Sequence, residues 1–242
     1  MPVLRRLAAI AFTALFALGI APQPSLAGPV AAFETALRTA YADYRAALFH
    51  TNSKNAEASV KAIAAFDEKW SALSTKYASP PPQYADDPKW SETFAKVKFI
   101  VDHSEVVAAK GDLADAHEML EEVRDVIEAL HLRNGIIGFS ERMNAFHHQM
   151  EDVLTKKYDG LTPAGLGALR EDMAVLAYLA AELKKFPPAE AAGNAEFANG
   201  LEAVIDTVAA VQAAARAGDP ARAKEALAKV KPAYAKLFLK FG

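Results

Sequence analysis

The sequence predicts an all-α protein: two tandem up-down-up-down four-helix bundles behind a signal peptide. Three observations lead there. Past position 28, apolar residues recur at alternating intervals of three and four, and β-branched runs of period two are missing, so the pattern is helical throughout. Proline, glycine and asparagine clusters cut the pattern into eight segments. The chain also registers on itself at an offset of about half the length that follows the leader.

In order, the segments are 30–51, closed by Asn52-Ser53; 54–78, closed ahead of Pro80-Pro81-Pro82; 88–109, closed by Gly111-Asp112; and 112–132, closed by Asn134-Gly135. The second four are 138–157, closed by Gly160-Leu161-Thr162-Pro163; 163–185, closed by Pro187-Pro188; 193–217, closed by Gly218-Asp219; and 219–241. The last is the clearest. Asp219 suits an N-cap and Pro220 the first helical position, after which Ala223, Leu227, Val230, Tyr234, Leu237 and Phe241 keep a heptad a/d order. Short turns force antiparallel neighbours, and the longer proline links at 79–88 and 186–193 join one hairpin to the next.

At an offset of 107, Gly111-Asp112 falls on Gly218-Asp219, with Val97, Val101, Leu120, Val123 and Leu130 on Val204, Val208, Leu227, Val230 and Leu237. At 106, Phe33, Leu37 and Trp70 fall on Phe139, Met143 and Leu176. A glycine-aspartate turn with heptads in phase on both sides points to duplication, with a first bundle over 28–134 and a second over 135–242. One larger eight-helix domain is the rival arrangement.

Residues 1–27 read as a secretory signal: Arg5-Arg6, an uncharged apolar run from Leu7 to Ile20, then Ser25-Leu26-Ala27 before the cleavage point. The run is shorter than the roughly 20 apolar residues of a spanning helix, and no later segment is long and apolar enough to span. The expected address is periplasmic or secreted. Loss of Arg5 and Arg6 takes the formal charge from −3 to −5, and acidic and basic residues interleave along the helices, which disfavours nucleic acid. The chain has no cysteine, so thiolate metal sites, iron–sulfur clusters and covalent c-type haem are excluded.

No phosphate loop, His-Glu-x-x-His or Gly-x-Ser-x-Gly occurs, and the chain reads as a binding protein, not an enzyme. Met143, His147 and Met150 share one helix face, and Met119 or His117 on the preceding helix could complete a thioether–imidazole set suited to copper, above all Cu(I). The same methionines also fit core positions at helical spacing. His117, Glu121, Arg124, Glu128 and His131 run down one side of their helix and are expected to form a solvated, salt-bridged stripe. His148 is expected to face water and His103 to be a partly buried structural histidine. The alternative to a metal site is a cell-envelope interaction or scaffold role without cofactor, for which Ile136, Ile137 and Phe139 at the inter-bundle link are candidates.

The alanine-rich bundles, with a Gly-Asp turn before the last helix, resemble the cytochrome c-prime and periplasmic b-type cytochrome bundles. That resemblance implies haem held by a histidine late in the fourth helix, with either a Cys-x-x-Cys-His tether or a methionine early in the first helix. Met143 holds the early place in the second half, where the late place is Phe238; His131 holds the late place in the first half, where the first helix carries Leu37. Neither half has the pair. Non-covalent haem is therefore the third reading.

Overall fold

The computed structural model describes residues 28–242, so the signal segment lies outside the described residues. Eight α-helices form: α1 Pro29–Asn52, α2 Ala56–Lys76, α3 Trp90–Ala109, α4 Leu113–Arg133, α5 Phe139–Thr155, α6 Pro163–Lys185, α7 Ala195–Arg216 and α8 Pro220–Phe241. Every bound falls within two residues of its sequence prediction, and no strand occurs among the described residues.

Local chemistry explains the bounds. Asp219 accepts from the Arg222 N–H at 3.0 Å with Pro220 behind it, and Asn55 and Thr162 accept from Ala58 and Gly165 at 3.2 and 3.3 Å. Each replaces a partner that the first turn of a helix lacks. Gly111 and Gly218 take positive φ, 90° and 67°, at the two corresponding turns. Gly165 is required for another reason, since a Cβ there would stand 1.9 Å from the Tyr158 carbonyl oxygen.

α1 packs on α2, α2 on α3, α3 on α4 and α4 back on α1, closing one four-helix ring; α5 to α8 close a second in the same order. The rings touch through α1 on α8 and α4 on α5, and the buried apolar residues form one continuous cluster through both. The first ring is aromatic, with Trp70 stacked on Phe94 at 4.8 Å and its Nε1–H donating to the Phe94 carbonyl at 3.1 Å. The second is filled by Met143, Phe146, Met150, Leu169 and Leu176, all fully buried. Arg45 and Arg38 of α1 donate to the last carbonyls of α8: Arg45 to Leu239 and Lys240 at 3.2 Å and to Gly242, Arg38 to Phe241 at 3.0 Å. Cations at that end satisfy orphan carbonyls and oppose the helix dipole, fastening one ring to the other.

Trp70→Ala removes a fully buried indole and its hydrogen bond, and is expected to cost about 3–5 kcal/mol in denaturant unfolding. A loss under about 1 kcal/mol would mean that the first ring is loosely packed.

Candidate functional site

α4 is covered on two sides, by its own ring and by α5, and this changes what its polar residues can do. The expected solvated stripe is corrected here. Arg124 is only 4% exposed and His131 7%, because the polar side of α4 faces the second ring. Burying such groups costs stability unless hydrogen bonds replace water. Some are replaced and some are not, and the difference marks two concavities on either side of Arg124.

The smaller, about 60 Å³, is lined by His117, Glu121 and Arg124 of α4, His147 and Met150 of α5, and Phe49, Tyr234 and Phe238. The Thr51 hydroxyl already donates to the Ala47 or Leu48 carbonyl, so it accepts from the His117 Nδ1–H at 2.9 Å. That arrangement favours the Nδ1–H tautomer. Burial, the largest influence, lowers the pKa of both His117 and His147 and favours the neutral rings, against the pull of Glu121. The His117 Nε2 lone pair then faces Glu121 Oε1 at 3.7 Å, one acceptor against another. His147 brings its own Nε2 to 3.5 Å from the same oxygen, while its buried Nδ1 has no hydrogen-bond partner. Glu121 is held down to about 2 by the His147 hydrogen bond, with burial opposing and the Arg124 charge assisting. Arg124 Nη2 lies 3.4 Å from that carboxylate.

The larger cleft, about 410 Å³, is walled by Leu37 and Tyr41 of α1, Arg124, Ile127, Glu128 and His131 of α4, and Phe139, Glu141 and Asn144 of α5. His131 Nδ1 and Glu141 Oε1 are 2.5 Å apart, and the other Glu141 oxygen accepts from the Gly138 N–H at 2.7 Å. Burial opposes the charge of both partners. The mutual hydrogen bond and attraction prevail, raising His131 and lowering Glu141. Three buried atoms around this cleft have no hydrogen-bond partner: Arg124 Nε, His131 Nε2 and Asn144 Oδ1.

Of the five residues expected at a metal site, His117, His147 and Met150 meet in the small pocket; Met143 packs in the core and Met119 at its edge, and neither lines that pocket. Glu128, whose spacing suggested a partnership with His131, lies 3.8 Å from His148 instead, and with Asp125 they form an acidic–histidine group on the outer surface. His148 faces water, 53% exposed. His103 does so too, against expectation, with its ring 4.0 Å over Phe99 on the outer side of α3. At the link, Phe139 is buried, Ile136 packs against the core and Ile137 is exposed. His131 turns its nitrogens toward Glu141 and Glu34, and Leu37 is buried beside them. A groove of about 460 Å³ on the outer side of α7 and α8 is lined by alanines and exposed charges, without a buried polar group. Arg124, expected in the solvated stripe, and Asn144, which periodicity did not single out, also line these concavities, since nothing in one helix reports which neighbour covers its polar side. Comparison with protein-family models, with curated proteins and with solved structures finds no match.

The His131–Glu141 pair fixes a pH window. A raised His131 stabilises fully below its ordinary 6.5 and stops doing so as pH climbs through the folded value; a lowered Glu141 stabilises above its ordinary 4.5 and stops as pH falls through its folded value. The Tm gap between the native protein and His131→Gln is therefore expected to be widest between pH 4.5 and 6.5 and to narrow on both sides. A gap that grows steadily above that window would contradict the pairing.

Proposed function

We propose that the chain is an exported, non-catalytic binding protein that holds a metal ion, copper first, in the small pocket between its two bundles. The observation that carries this reading is the meeting of two acceptors without a donor between them: the His117 lone pair and the Glu121 carboxylate, 3.7 Å apart. Glu121 already takes the Arg124 Nη2–H and the His147 hydrogen bond, so it is the His117 lone pair that a metal ion would newly engage beside this carboxylate. His147 supplies a second neutral imidazole and Met150 a thioether, a mixed set that suits copper and that zinc tolerates less well because of the sulfur. Thr51 acts as the outer partner that orients the His117 ring. Arg124 and Lys231 both line the pocket and oppose a cation; Glu121 offsets the first and Glu151, 2.9 Å from Lys231, the second, and a singly charged Cu(I) suffers least.

Anaerobic titration of Cu(I) against a chelator of known affinity tests this. One equivalent is expected to bind, with His147→Ala and Thr51→Val each weakening it about 10–100-fold and Met143→Leu leaving it unchanged. If Met143→Leu weakens binding as much as His147→Ala, the ligand set is wrong. If the protein takes up no Cu(I), Cu(II) or Zn(II), the metal reading falls.

A further inference from the structure

On the outer surface of the seam, α4 and α5 bring three ligand atoms together from the two rings. Asp125 and Glu128, three residues apart, project from neighbouring turns of α4, and His148 meets them from α5. Its Nε2 stands 3.8 Å from Asp125 Oδ1 and 3.8 Å from Glu128 Oε2, and all three atoms lie within 4.8 Å of one another. Those gaps are too long for hydrogen bonds, which need about 2.7–3.2 Å between nitrogen and oxygen. They are close to the spacing of ligands on one ion: bonds of about 2.0–2.2 Å at a tetrahedral centre put ligand atoms about 3.3–3.6 Å apart. Small side-chain rotations close the difference. The surroundings favour a cation as well. Burial, the largest influence, raises the Glu128 pKa, and the carboxylates of Glu141 and Asp125 add to it, against His148 and the Asn144 amide. Asn144, one turn before His148 on α5 and only 2% exposed, directs its amide at Glu128, as the outer partner of a ligating carboxylate does. Its Oδ1 finds no partner, which leaves Glu128 as the group that this buried side chain serves.

We propose that Asp125, Glu128 and His148 form a binding site for a divalent transition-metal ion, Zn(II) first, which clamps α4 of one ring to α5 of the other. One imidazole and two carboxylates make a donor set of the kind zinc accepts. Calcium and magnesium prefer oxygen alone and in larger number, and Cu(I) prefers softer atoms. Three protein ligands leave a fourth position for water, and the Asp125 and His148 side chains are 60% and 53% exposed, so ion and water have an open path. As a plain ion pair, so exposed a group would contribute little to stability. The site does not depend on the small pocket. It shares no residue with that pocket, and the rings of His147 and His148 diverge, 69° between their planes.

Titration of the purified, untagged protein with Zn(II) against a chromophoric chelator, with thermal unfolding followed in parallel, is the test. One equivalent is expected to bind and to raise the Tm. His148→Ala and Asp125→Asn, both at exposed positions where the core is not disturbed, are each expected to weaken Zn(II) about tenfold or more and to remove the Tm rise. His147→Ala is expected to leave both unchanged, and His148→Ala to leave Cu(I) uptake as it was, so the two metal sites stand or fall separately. No uptake of Zn(II) overturns the proposal, as does a His148→Ala protein that binds as before. Zinc binding that is lost in His147→Ala but kept in His148→Ala would put the ion in the small pocket and overturns it too. Displacement of zinc by an equal concentration of calcium would reduce the group to an acidic patch open to any cation, which contradicts the assignment.

Discussion

Burial on two faces at once is the constraint on which the rest of this structure depends. α1, α4, α5 and α8 each close a ring and also meet the other ring, so residues that would be a wet outer side in a lone bundle are covered. Polar groups on those sides must find partners inside the protein. Most do: Arg45 finds the carbonyls at the end of α8, Tyr44 donates to the Leu120 carbonyl at 2.8 Å, and His131 finds Glu141. Arg124, Asn144 and His147 do so only in part. Each buried polar atom left without a partner costs about 1–3 kcal/mol, and a packed apolar residue at the same place usually does better. Those three residues line the two concavities at the seam between the bundles.

The position of the seam also settles how a ligand would be held. Both concavities take walls from α4 of the first ring and α5 of the second, with α1 or α8 completing each. Neither ring alone carries either set. Rigid elements thus present every polar group, and the arms at the C-terminal end of α8, Arg38 and Arg45, hold the rings together across the same junction. Burial and the neighbouring charge of Arg38 bring Arg45 down to about 10, which still leaves it cationic at neutral pH.

Helix number, bounds and ring order were legible in the sequence because proline and glycine punctuation coincides with heptad breaks, as at Gly111-Asp112 and Gly218-Asp219. The site was legible by halves. His147 flanks a core stripe, and periodicity places it there; His117 and Met150 follow from the neighbouring helix and the same stripe. The row from His117 to His131 was equally visible, but periodicity reports only that a face is polar, not whether water or a second bundle lies against it. Met143 and Met150 are indistinguishable by spacing, and only the packing of α4 on α5 separates a pocket thioether from a core one. Asn144 carried no signal at all: a single amide on an amphipathic helix gains its meaning from Glu128 across the seam.

The central claim is that the buried polar groups of the seam, Arg124 first, are not what holds the two bundles together. Thermal unfolding of Arg124→Met, with no metal or small molecule added, puts it to the test most directly. Methionine fills similar volume without needing a partner, and Glu121, partly exposed, keeps access to water. The account predicts a Tm equal to or above that of the native protein. A fall of about 10 °C or more, which at this chain length means several kcal/mol, would make Arg124 a structural keystone and contradict the reading of the seam as a binding site.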